Sequence, residues 1–91
     1  MYTFVFRSKV YTNIKDIESH YNSIDVDLYS SFLSDFNSLL DRIIIFPEIY
    51  QLSYKNIRIG FLEAFPYGIH YEIIDDKIII YAILHTSQEI K

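Results

Sequence analysis

The chain contains no cysteine, and only two glycines and two prolines. Without thiols, neither a disulfide framework nor a thiolate metal site can staple the fold, so packing must hold it. Two isolated glycines, Gly60 and Gly68, leave no Gly-rich phosphate loop, and no cofactor or metal signature is present. No apolar run approaches the ~20 residues that a membrane-spanning helix needs. The opening MYTFVFRSKVYTN has no secretory apolar core, so a cytoplasmic location without membrane contact is expected. An excess of basic residues is also missing: formal net charge is −4 and the pI is near 5.1. Polyanions are held chiefly by Lys and Arg, so direct nucleic-acid binding is disfavoured.

What is present is apolar bulk. Hydrophobic residues make up 51% of the 91 and aromatics 18%, which excludes disorder. One domain over residues 1–91 is expected, with no linker and no repeat. A chain of this size buries only about 60–65% of its unfolded surface, so a partner can contribute to its stability.

Periodicity places the elements. Tyr2, Phe4 and Phe6 alternate with Thr3, Val5 and Arg7 as in a strand. Asn13 is the expected N-cap of a short helix with Ile14, Ile17, Tyr21 and Ile24 on one face. Asp25 and Asp27 open a longer helix whose stripe is Tyr29, Phe32, Leu33, Phe36, Leu40, Ile43 and Ile44, ended by Pro47. The short connection predicts an antiparallel helical pair. Residues 48–55 read as a polar, tyrosine-containing crossing. Ile57, Ile59 and Phe61 then alternate with Arg58, Gly60 and Leu62 as a second strand. Pro66 makes a corner, residues 67–74 a third strand, Asp75-Asp76 a solvated turn rather than a metal site, and residues 77–85 a fourth strand. The expected fold is α+β, β-α-α-β-β-β: a four-stranded, mostly antiparallel sheet with a helical hairpin on one face.

A two-residue turn at Asp75-Asp76 fixes the register by counting outward. Ile73 meets Ile78, Tyr71 meets Ile80, Ile69 meets Ala82 and Tyr67 meets Leu84, one apolar face for the helices to cover. The other face then carries His70, Glu72, Ile79, Tyr81 and Ile83, with His85 at its end and Arg58 beside it. A bare row of Ile79, Tyr81 and Ile83 is the kind of patch that marks a partner site.

The element order resembles the RelE/ParE superfamily of toxins from bacterial type II toxin–antitoxin systems. So do an Arg in the second strand, FPYGIHYEI opening the third and IIIYAILHTS closing the fourth. Within it the chain is more similar to the ParE, or plasmid-stabilisation, branch. The resemblance implies a cytoplasmic toxin neutralised by a cognate antitoxin and, in the ParE branch, action on DNA gyrase by binding. Its partner-binding residues would be Arg58, His70, Ile79, Tyr81, Ile83 and His85. The RelE branch implies instead a ribosome-dependent mRNA endoribonuclease. Its phosphate clamp and general acid would be Arg58 and His85, with His70 and Lys55 nearby. The superfamily pattern commonly continues H-x-S-R, whereas this chain reads His85-Thr86-Ser87-Gln88. A neutral glutamine cannot replace a bidentate phosphate donor, and no Tyr follows Tyr81. Both absences argue against the nuclease, and the missing arginine leaves a non-toxic interaction module of the same fold as a third reading. Each candidate also has a structural reading: Arg58 paired with Glu63 or Glu72, the histidines simply satisfied, and Phe65, Tyr67 and Tyr71 filling the core.

Overall fold

The computed structural model describes residues 1–87. β1 (Thr3–Phe6) leads into α1 (Ser8–Asn22) and α2 (Val26–Ile45), followed by β2 (Leu52–Tyr54), β3 (Ile57–Phe61), β4 (Tyr67–Ile74) and β5 (Lys77–His85). One sheet has the order β1-β5-β4-β3-β2, with β1 parallel to β5 and the other pairs antiparallel. The expected α+β order and helical hairpin are present. The sheet, however, has five strands, because residues 52–54 of the expected crossing fold back on β3 through a turn at Lys55-Asn56. Lys55 adopts φ 50° there, a left-handed conformation that a lysine takes only at some cost.

α1 begins five residues before the expected Asn13, at Ser8 with Arg7 as its N-cap. Val10, only 1% exposed, extends the stripe of Ile14, Ile17 and Tyr21 by one turn, and its burial outweighs its modest helix propensity. Asn13 has another task, since its Oδ1 accepts a hydrogen bond from the Ile83 N–H at 3.0 Å. α2 starts where expected, with the Asp25 carboxylate accepting from the Asp27 N–H at 2.9 Å. Its buried stripe is Phe32, Phe36, Leu39 and Ile43, and it stops two residues before Pro47.

Both helices pack on one sheet face, against Ile69, Tyr71, Ile78 and Ile80, all buried. Gly60 lies on that face, where an added Cβ would stand 3.0 Å from the Tyr50 ring and 3.2 Å from Leu39, so any larger residue would press on both side chains. At the Phe65-Pro66-Tyr67 corner, Phe65 and Tyr67 meet Phe32 edge-on, with ring centroids 5.8 and 5.6 Å apart. The Asp35 carboxylate fixes the corner by accepting from the N–H groups of Glu63 and Ala64.

The β4–β5 register follows the turn-based count from Ile74–Lys77 to Tyr71–Ile80, then slips by one, so that His70 meets Ala82 and Ile69 meets Ile83. Tyr81 is the extra residue of a β-bulge, and a bulge reverses which face each later residue occupies. Ile83, expected on the bare face, is therefore core and 2% exposed. β1 ends nearby, its last bond running from the Arg7 N–H to the Ile80 carbonyl, and Asn13 satisfies the strand edge that β1 has left.

Candidate functional site

The two sheet faces sort the chemically able residues apart. Arg58 pairs in register with Tyr71 and so lies on the helix-covered face, not beside His70 as expected. Its Nη1 donates to the Tyr50 carbonyl at 2.5 Å, so a backbone acceptor satisfies the half-buried guanidinium rather than the expected Glu63 or Glu72. Glu63 lies instead 4.0 Å from Arg42, a weak and exposed pair. The neighbouring Tyr71 hydroxyl donates to the Pro47 carbonyl at 2.6 Å. Burial pushes that phenol up to about 12, an effect that the Arg58 charge opposes.

His85 pairs with Tyr67 and also leans toward the α1 side, its ring edge-on to Tyr67 with centroids 5.3 Å apart. The Ser87 backbone N–H donates to its Nδ1 at 3.1 Å, and the Ser87 hydroxyl lies 2.8 Å from the same nitrogen. A ring nitrogen that accepts a backbone N–H carries no proton, so the hydroxyl donates as well. His85 lines a cleft with Lys9, Asn13, Asp16 and Ile83. Arg58 and His85 register four residues apart along β4, roughly 13 Å on the strand, and on strands that flank it.

His70 occupies the opposite, helix-free face and is nonetheless 4% exposed. Ile59 and Ala82 flank it in register, and its Nδ1 lies 3.0 Å from the Tyr54 hydroxyl. Burial, reinforced by the Lys9 charge, holds the imidazole below its usual range, while burial raises the Tyr54 phenol. We therefore assign a neutral imidazole accepting at Nδ1 from a protonated phenol. Tyr54 was not singled out from the sequence. The Lys55-Asn56 turn was the signal for it, because that turn sets Tyr54 opposite Ile57 and on the face of His70.

The rest of this face is apolar with few polar groups. Val5, Ile79 and Ile57 share it, and no element among the described residues covers it. Tyr81 donates to Glu72 Oε1 at 2.7 Å, a bond that raises the phenol more than its slight burial does. Tyr54, Lys55, Ile57, Glu72 and Tyr81 line one shallow cleft here. Of the six expected partner-binding residues, the structure thus brings together His70, Ile79 and Tyr81, and places Arg58, Ile83 and His85 elsewhere. Of the nuclease candidates, Arg58 and His85 are far apart, His70 is on the other face and Lys55 is in the β2–β3 turn. Gln88 lies outside the described residues.

Comparison with known proteins agrees with this architecture. No curated protein matches the chain. A solved structure described as the chromosomal ParDE TA system from P. aeruginosa superimposes with a TM-score of 0.75 at 15% identity, covering 93% of this chain and 96% of that one. That likeness speaks to the fold. The sequence pattern of the ParE toxin of type II toxin–antitoxin systems (parDE) matches residues 5–90, and the chain accordingly belongs to the ParE toxin family.

Proposed function

We propose that the chain acts in the cytoplasm as a single binding domain, inhibits DNA gyrase by docking its open sheet face, and is silenced when a cognate antitoxin covers that face. The observation that carries this reading is the uncovered apolar surface formed by Val5, Ile79, Ile57 and Tyr81 in a domain with little core to spare. Binding rather than catalysis is supported by the dispersal of the nuclease candidates. Phosphodiester cleavage needs a phosphate clamp and a proton donor within reach of one substrate atom. Here the guanidinium is tied to Tyr50 on the covered face, and His70 is held neutral on the other.

A supercoiling assay with purified gyrase tests the proposal. The chain is expected to inhibit in proportion to its concentration, and added antitoxin to restore supercoiling. Unaffected gyrase at any concentration, with message cleavage on induction in cells, would replace this reading with the nuclease.

A further inference from the structure

The two outer edges of the sheet differ. β1 runs into the cations Arg7 and Lys9, whereas β2 stands among exposed apolar side chains. Eleven large hydrophobics are exposed among the described residues, and five of them, Ile45, Phe46, Ile49, Leu52 and Phe61, belong to the β2 side. Ile45 and Phe46 close α2, Ile49 sits in the turn that follows, and Leu52 opens β2. Phe61 lines one cleft with Leu52 and Tyr50. The buried stripe of α2 ends at Ile43, so Ile45 and Phe46 add little to the core. Among the described residues no strand pairs with the outer edge of β2, and backbone groups on such an edge are open to another strand.

Charge decides what fits there. The chain carries a net −4, yet between residues 43 and 62 only Glu48, Lys55 and Arg58 are charged, and Arg58 is tied to the Tyr50 carbonyl. A surface with neither sign in large excess selects no strongly charged partner. It is instead a region where two copies of an acidic chain meet with little like-charge repulsion. Strand geometry agrees, because two antiparallel strands are related by a two-fold axis and an edge strand is therefore complementary to itself. The area is also sufficient. With each of the five side chains at least half exposed, they offer about 600 Å² per copy and about 1,200 Å² in a pair, the lower end of specific interfaces.

We infer that a second copy of this chain occupies the β2 edge. The two β2 strands lie antiparallel across a two-fold axis, and Ile45, Phe46, Ile49 and Leu52 of both copies form one apolar seam beside them. The two sheets continue as one, and both helix-free faces point the same way and stay uncovered. Pairing is thus independent of whatever those faces bind. An interface at the small end of the range makes the dimer reversible and its population dependent on concentration.

Sedimentation velocity on the purified full chain, from about 1 to about 200 µM, tests the inference. The mass should rise from 10.9 kDa toward twice that value as concentration increases, and the melting temperature should rise with it. Phe46→Asp plus Leu52→Asp, both at exposed positions, should weaken dimerisation about tenfold or more, while Ile79→Asp on the helix-free face should leave it unchanged. Circular dichroism confirms that each variant is folded. Ser53→Pro, which removes an N–H from the strand edge, gives a second probe that keeps the apolar seam and should also weaken the dimer. A wild-type chain that stays monomeric throughout, a dimer indifferent to the Phe46 and Leu52 changes, a dimer that Ile79→Asp disrupts, or growth beyond two copies would each overturn the inference.

Discussion

Ile79 and Ile80 are neighbours in β5 and face opposite ways. Ile80 lies under the helices and is 0% exposed, whereas Ile79 stands on the uncovered face between Val5 and Glu72. The same alternation separates Tyr71, buried and bonded to Pro47, from Tyr81, part-exposed and bonded to Glu72. Residue types match across the sheet while burial does not, so one face holds the fold together and the other is left uncovered.

Ile80→Ala should break the comparison hardest, costing about 2–5 kcal/mol through lost burial and the cavity left behind, whereas Ile79→Ala should cost less than about 1 kcal/mol. Thermal or urea unfolding checks both. Tyr71→Phe leaves the Pro47 carbonyl without its buried donor and should cost about 1–2 kcal/mol, while Tyr81→Phe, whose partner can turn to water, should cost under about 0.5 kcal/mol.

The buried imidazole on the open face gives a pH signature. His70 titrates below its ordinary 6.5, so the unfolded chain takes up the proton first. Stability is full above about 6.5 and declines as pH falls from there toward the lowered folded value. His70→Gln should flatten that part of the stability–pH curve, and an unchanged slope would place the titration on another group. Smallest is Lys55→Gly, which relieves the positive φ at the β2–β3 turn. It should stabilise by about 0.5 kcal/mol, since glycine's freedom in the unfolded state offsets part of the gain.

Much of this was legible in the residues. The 3.6-residue stripe of α2, its Asp25 cap and the Asp75-Asp76 turn are local signals, and each fixed its element. The bulge was not legible, because Ile78 to Leu84 is apolar or small at every position and no polar residue marks the slip. With it went the placement of Ile83. Arg58 was misplaced for a related reason: both sides of β3 carry apolar or small residues, so only pairing with β4 sets its face. β2 was hidden in three residues of weak strand character, and its Lys55-Asn56 turn lacks the usual glycine. The start of α1 was obscured by Asn13, chemically a good cap but used instead to satisfy a strand edge. Of the candidate site, His70, Ile79 and Tyr81 were readable from alternation alone, while Tyr54 and Val5 needed the tertiary pairing.

The central claim is that the open face, and not a catalytic cluster, is the working surface. The most direct test compares purified wild-type chain with Ile79→Asp in the gyrase supercoiling assay, each at a concentration where it is folded by circular dichroism. The account predicts that the wild type inhibits and that Ile79→Asp, melting within a few degrees of it, does not. A folded Ile79→Asp that inhibits as well as the wild type would contradict it.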